Sequence, residues 1–355
     1  MRVLHCPTDT GGNPWGLSRA ERALGIHSDV MVRRGDSSRY PYDMDLRLRS
    51  GSWLARGLRV AQFLARAVRE YDVFHFNWGM TILDYWHWDI NYLELPLLKR
   101  LGKRIVMTFQ GCDARMKTWS RTHFATSACT ECDVPWCTER LDRIRLKRIK
   151  KIFAYADHVF ALNPDLLHVL PGAEFLPYAS IDPKEWKPAA KKETRAPYRT
   201  RPFQVLHFPT NRAIKGTRYV EQACARLQRE GCPVELHIVE NVPHMRMREL
   251  IEQADVVVDQ LLIGWYGALA VEAMALKKPV LCYLRDEDLK RFVPFHDQIP
   301  IVRTTKETLA EDIRALLTDA GNMEQLGHAA QQFVQCHHDP LKIAQRTISV
   351  YQSVA

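Results

Sequence analysis

GWYGALAVEAMALKKPV, residues 264–280, places two glycines ahead of eight residues of Ala, Leu, Val and Met that hold a single carboxylate, Glu272. An acid buried without partners is costly, so a helix otherwise fit for a core does not keep one by accident. Either an Arg elsewhere in the core pairs with Glu272, or a ligand's diol donates hydrogen bonds to it. The loop Gly264, Trp265, Tyr266 and Gly267 precedes a helix start, where unpaired N–H groups and the positive end of the dipole favour an anion. An anion loop followed by a carboxylate suits the diphosphate and ribose of a nucleotide.

The segments on either side of this stretch, ADVVVD (254–259) and KPVLCYL (278–284), are apolar and β-like. They belong to an alternation that runs along most of the chain. RVLHC (2–6), SDVMV (28–32), DVFHF (72–76), RIVMTF (104–109) and DHVFAL (157–162) read as strands, with helical spacing near 53–70, 88–100 and 139–156. The pattern restarts with FQVLHF (203–208) and PVELHIV (233–239), with helical spacing near 216–230, 244–253 and 266–276. Strands alternating with helices imply parallel sheets joined by crossover helices, an α/β architecture. SIDPKEWKPAAKKETRAPYRTRP (180–202) is charged and Pro-rich without periodicity, which suits a linker. The chain therefore divides at 1–182, 183–201 and 202–337, two doubly wound Rossmann-like domains, with their cleft as the ligand site. A helical stretch from 304 to 336 breaks at Gly321-Asn322, and 338–355 forms a last helix able to return to the N-terminal domain.

A chain of 355 residues that is 46% hydrophobic and 26% charged has the balance of a folded protein, which excludes disorder. Neither a signal peptide nor an apolar run near the length of a membrane span is evident, so a cytoplasmic location is expected. Of the net charge of +9, residues 1–180 contribute 26 Lys+Arg against 19 Asp+Glu, so the basicity lies in the first half.

Two further loops bear anion-binding features. TDTGG (8–12) follows the first strand, and Gly11 and Gly12 let backbone approach a ligand closely. PTNRAIKG (209–216) sets Arg212 and Lys215 at a helix start, where cations oppose the dipole unless an anion lies between them.

Together these residues resemble the family-4 retaining glycosyltransferases of the GT-B fold, the bacterial glycosyltransferase group 1 type. The donor motif of that family reads Glu-Gly-Phe-Gly, four residues, Glu-Ala-Met-Ala, then Gly-x-Pro-Val. Arg212, Lys215 and Gly216 resemble its phosphate clamp, and SIDPKEW (180–186) its interdomain segment. The resemblance implies that Glu272 binds ribose hydroxyls, that Arg212 and Lys215 hold the diphosphate, and that no catalytic metal is needed. The N-terminal domain would then take the acceptor and the C-terminal one the nucleotide sugar. Two departures stand out. Gly264 replaces a Glu that contacts the transferred sugar, leaving Asp259 or Gln260 as the nearest polar groups. In MTFQGCDAR (107–115), Gln110 replaces a common His, so Asp113 and Arg115 become the polar residues expected at the reacting centre. His75 and Asn77, in HFNWG, are expected acceptor contacts, with a core histidine and a loop-capping Asp113 as the plainer readings.

Cys112, Cys129, Cys132 and Cys137 fall within 26 residues near an expected insertion at 112–137. Nine cysteines in a reducing compartment argue against disulfides, leaving a structural zinc, with His123 as a substitute ligand, or buried free thiols. RLRSGSWLARGLRVAQFLARAVRE (47–70) and ERLDRIRLKRIKK (139–151) interleave basic and apolar residues. They read either as solvated helix faces or as surfaces drawn to an anionic membrane. The expectation is a transferase that moves a hexose-type sugar from a nucleotide-diphosphate donor to a saccharide or lipid-linked acceptor in surface polysaccharide or glycoconjugate synthesis. It would work on the inner face of the membrane. The alternative is a sugar-nucleotide-binding protein without transferase activity. A nucleic-acid partner is not expected, since no such motif occurs.

Overall fold

The computed structural model describes residues 1–35, 40–84, 92–188, 201–242 and 244–353. Residues 189–200 of the expected linker and 88–91 of an expected helix lie outside these. The chain forms two compact units, one of Met1–Met116, Cys137–Asp182 and Asp339–Ala355, the other of Lys117–Trp136 and Pro183–His338.

Among the described residues unit 1 is built on seven strands: β1 (Arg2–Cys6), β2 (His27–Val32), β3 (Met44–Asp45), β4 (Val73–Asn77), β5 (Arg104–Phe109), β6 (His158–Ala161) and β7 (Glu174–Phe175). Their order is β3-β2-β1-β4-β5-β6-β7 and every pairing is parallel. Unit 2 carries β8 (Phe203–His207), β9 (Val234–Ile238), β10 (Val256–Val258), β11 (Val280–Cys282) and β12 (Val302–Arg303), in the order β12-β11-β10-β8-β9, again parallel. Parallel strands joined by crossovers are buried on both faces and read as continuous apolar runs, which is why the alternation was visible. The two-residue strands β3, β7 and β12 were not, because two residues carry no period.

The expected helices form at Trp53–Glu70, Glu139–Tyr155, Thr217–Arg229 and Ala268–Ala275. The late helical stretch breaks at Asp319, not at Gly321-Asn322, because the Asp319 carboxylate caps the amide of Asn322 at 2.9 Å. No helix among the described residues is long and apolar enough to cross a membrane.

The segment Lys117–Trp136 departs from the expected arrangement. It was read as an insertion in the N-terminal domain, yet it folds as part of unit 2. Ala128 is buried in the core of the second sheet and its amide donates to the Leu262 carbonyl at 2.8 Å. Glu131 accepts from the Tyr219 hydroxyl and pairs with Arg218 at 2.7 Å.

The last helix, Pro340–Ser353, packs on Asn13–Ala23 within unit 1. A buried polar network joins them. Glu21 lies 2.9 Å from His5 Nε2 and accepts from Ser28 at 2.7 Å, Tyr351 at 3.0 Å and Thr347 at 3.2 Å. The Tyr351 hydroxyl is also 2.6 Å from His75 Nδ1, and His75 Nε2 is 2.6 Å from the Thr108 hydroxyl. Partners on every side offset the cost of burying the acid.

Burial holds the His75 ring well below its ordinary 6.5, and His207 in unit 2 is pushed down to about 4 for the same reason. Burial alone would raise Glu21, but His5, Ser28 and Tyr351 outweigh it and hold the carboxyl below its ordinary 4.5. In each case the unfolded chain binds more protons than the folded one as pH falls, so stability drops with pH. The melting temperature should decline below about pH 6.5, where the unfolded histidines begin to charge, and more steeply below about 4.5. Thermal melts across pH on the native chain and on His75→Gln, neutral throughout, should show a shallower upper decline in the variant.

Candidate functional site

The carboxyl ends of β8, β10 and β11 bring together residues from four segments of unit 2. After β8, Asn211 caps the short helix Arg212–Lys215 by accepting the Ile214 amide at 2.9 Å. Gly216 then turns at φ +78°, where a Cβ would press on Leu261 and Leu262 at 3.2 and 3.3 Å. The Lys215 ammonium is thereby carried to the end of β10, 3.1 Å from Asp259 Oδ1 and 2.6 Å from Gln260 Oε1. Gln260 in turn donates to the Trp265 carbonyl, and the Gly267 amide donates to Asp259 Oδ2 at 2.5 Å. A Cβ on Gly267 would lie 3.4 Å from both Lys215 Nζ and Asp259 Oδ2. An ammonium and the N–H at the start of helix Ala268–Ala275 therefore converge on one point, and that helix carries Glu272, 1% exposed. Such a convergence of donors suits an oxyanion.

Several expected contacts fall elsewhere. The Arg212 guanidinium, 53% exposed, turns to Glu240 at 2.7 Å and Glu221 at 3.3 Å and does not join Lys215. Trp265 and Tyr266 are core side chains whose rings lie 3.9 Å apart, with the Tyr266 hydroxyl 2.8 Å from His338 Nε2. Only their backbone shapes the loop.

Gly264 is not simply a missing acid. It adopts φ +89°, and a Cβ there would lie 2.8 Å from the Arg285 guanidinium. Arg285 follows β11 and its amide donates to the Gly264 carbonyl at 2.9 Å. The guanidinium is held by Asp288 at 2.7 Å, donates to the Thr126 carbonyl at 2.9 Å and lies 3.4 Å from the Phe124 ring centre. Arg285 was not singled out in the sequence, nor were Phe124 and Thr126 within the expected insertion, since nothing local marks these three.

In unit 1, Gly11 and Gly12 take φ +66° and +70° after β1, and a Cβ on Gly11 would lie 3.7 Å from Gln110 Oε1. Gln110 Nε2 is 3.4 Å from Asn77 Oδ1, so Gly11, Asn77 and Gln110 share the carboxyl edge of β1, β4 and β5. Asp113 closes the adjoining turn by accepting the amides of Gln110 at 3.0 Å and Gly111 at 2.6 Å. Burial raises its carboxyl to about 6 despite those amides. Two expectations are corrected here. Arg115 is committed to a buried pair with Asp165, at 2.6 and 3.1 Å, and is a structural cation. His75 is fully buried with both ring nitrogens engaged, a core histidine that no acceptor reaches.

Two of the four cysteines have an arginine beside the sulfur. Cys112 and Cys137 belong to unit 1, each with an arginine Nη1 near its sulfur, Arg115 at 3.8 Å and Arg145 at 3.7 Å, whereas Cys129 and Cys132 belong to unit 2. A guanidinium beside a thiol repels a metal cation. His123, the substitute ligand, stacks on Trp119 at 4.3 Å. Among the described residues no three His, Cys, Asp or Glu side chains are placed to hold a metal ion.

Comparison with solved structures gives the same fold. Over 99% of its length the chain resembles sucrose-phosphate synthase from Thermosynechococcus elongatus, at 17% identity, 98% coverage of that chain and TM-score 0.66. Anabaena HepE, solved with UDP and glucose, is similar at 14% identity, over 99% of this chain and 100% of the other, with TM-score 0.64. WaaG, a glycosyltransferase involved in lipopolysaccharide biosynthesis, is similar at 14% identity, over 98% and 99%, with TM-score 0.54. No curated protein matches by sequence. These likenesses show the fold, the two-domain GT-B architecture of parallel sheets. Residues 206–333 match the family model for glycosyl transferases group 1.

The contact at Gly264 makes a stability prediction. Gly264→Ala should destabilise the chain by at least about 1–2 kcal/mol, the cost of a left-handed L-residue. Arg285→Ala removes the guanidinium paired with the buried Asp288 and should cost about 3–5 kcal/mol. Urea unfolding of the two variants checks the order.

Proposed function

We propose that the chain transfers a sugar from a nucleotide-diphosphate donor bound in unit 2. The observation that carries this reading is the meeting of the Lys215 ammonium with the Gly267 N–H at the start of helix Ala268–Ala275, inside the matched residues 206–333. In it the diphosphate sits at that meeting point and Glu272, farther along the helix, accepts from the ribose hydroxyls. As the bond between sugar and phosphate breaks, charge grows on the leaving diphosphate, and an already oriented cation and amide stabilise it without reorganisation. No metal ion enters this scheme. The solved complex of Anabaena HepE with UDP and glucose supports the donor class. Retention of anomeric configuration follows from the family resemblance, and the anomeric proton coupling of an isolated product is the measurement that decides it.

The proposed acceptor is a saccharide, lipid-linked and met at an anionic membrane. The surface of unit 1 supports this. Helix Trp53–Glu70 buries Val60, Phe63 and Ala67 while Trp53, Leu54 and Leu58 remain 75%, 63% and 59% exposed. Helix Glu139–Tyr155 exposes Arg140, Arg143, Lys147 and Lys150 beside Leu146. Aromatic and aliphatic groups among cations suit an interface, where each basic residue adds about 1 kcal/mol.

Two outcomes follow. With a panel of UDP-, GDP- and ADP-sugars, Lys215→Ala should lose about tenfold or more in affinity for the donor that the native chain turns over. Isothermal titration checks the loss, and absence of product with every donor would refute the transferase reading. In flotation with phosphatidylglycerol vesicles, the native chain should rise with the lipid at low salt. The triple change Trp53→Ser, Leu54→Ser, Leu58→Ser should leave it at the bottom.

A further inference from the structure

The cradle assigned to the diphosphate already holds an anion. Asp259 ends β10, its amide extending the ladder to the Leu281 carbonyl at 3.0 Å, and its side chain has no solvent contact. One carboxylate oxygen takes the Gly267 amide at 2.5 Å and the other the Lys215 ammonium at 3.1 Å. These are the two donors that the donor reading gives to the diphosphate. His207, at the end of β8, lies in the same neighbourhood but is held neutral by burial, so the cation balancing the carboxylate here is Lys215.

A carboxylate and a phosphate oxygen cannot both lie within hydrogen-bond range of one ammonium and one amide without strong like-charge repulsion in so dry a place. We infer that Asp259 is the resident counter-anion of the donor cradle: it keeps Lys215 and the Gly267 amide oriented while the cradle is empty, and the incoming diphosphate replaces it at both. This rests on the donor reading above and adds a gate to it. The carboxylate preserves the cradle, because a buried ammonium held only by the neutral Gln260 would otherwise turn to solvent, and it opposes every anion too weak to displace it. Inorganic phosphate is such an anion, whereas a diphosphate, with more charge and two sets of oxygens, offers both donors a better partner.

The sign of one substitution separates this role from a merely supporting one. Asp259→Asn keeps the shape but removes the competing charge, so anions should bind more tightly; if Asp259 only positions Lys215, they should bind more weakly. Titration calorimetry with inorganic pyrophosphate, UDP, GDP and ADP on the native chain, Lys215→Ala and Asp259→Asn makes the test. Asp259→Asn should bind pyrophosphate about tenfold more tightly than the native chain, and Lys215→Ala about tenfold more weakly. Unchanged or weaker binding by Asp259→Asn, with Lys215→Ala still impaired, overturns the inference and leaves the donor reading standing. If no anion binds the native chain, or Lys215→Ala binds as well as it does, the donor reading falls and takes the inference with it. Should Asp259→Asn fail to fold, a crystal structure of the native chain with the tightest of these anions decides. Phosphate oxygens on Lys215 and Gly267 with Asp259 withdrawn support the proposal, and Asp259 still bonded to both refutes it.

Discussion

A single buried carboxylate organises the functional edge of unit 2. Asp259 draws the ammonium of Lys215, 44 residues earlier, and the amide of Gly267, eight residues later, to its two oxygens. Removing a charge from water is costly unless its partners are close and well aligned, so the position of Asp259 dictates where the loop after β8 and the helix after β10 must begin. Gly216 serves the same constraint, since its left-handed turn brings the Lys215 loop against Leu261 and Leu262 without a clash. The chemistry expected of the site, stabilising charge on a departing diphosphate, uses the same groups that hold this edge together.

Unit 1 solves a comparable problem for a different end. Glu21 is surrounded by groups from β1, β2 and the final helix, and Tyr351 extends the network to His75 and Thr108. All of these lie in the core, away from the carboxyl edge where Gly11, Asn77 and Gln110 meet. Two sets of polar groups within a few residues of one another on β4, His75 and Asn77, thus serve unlike purposes. Two residues apart, they share one face of the strand, and it is their neighbours that set them apart: the hydroxyls of Tyr351 and Thr108 claim the imidazole and Gln110 claims the amide.

Much of this was legible from residue patterns. The major strands and helices announced themselves because parallel strands are buried on both faces and their crossover helices on one, so apolar spacing carries the architecture. The buried acid in GWYGALAVEAMALKKPV stood out because burial of charge is expensive wherever it occurs. The edge strands β3, β7 and β12 escaped, being too short for any period. The cysteines misled for a related reason: thiols close in the chain suggest a metal, but among the described residues no three ligand side chains are placed to hold an ion, and Arg115 and Arg145 lie against two of the sulfurs. Arg212 was placed in the chemistry by its spacing from Lys215 and Arg115 by the family resemblance, whereas Glu240 and Asp165, remote in sequence, hold them elsewhere.

The amino-acid sequence by itself determined the α/β class and the restart of the pattern near residue 203, and it marked the loop and helix to which the donor reading assigns a phosphate. Each of these follows from periodicity and local chemistry, which act over a few residues. Tertiary structure alone decided that Asp259 occupies the Lys215 cradle, that Arg285 fills the space beside Gly264, and that 117–136 folds with the second sheet. Those outcomes turn on which charged and polar groups find one another across tens or hundreds of residues, and only the packing of the completed sheets brings such partners within hydrogen-bond reach.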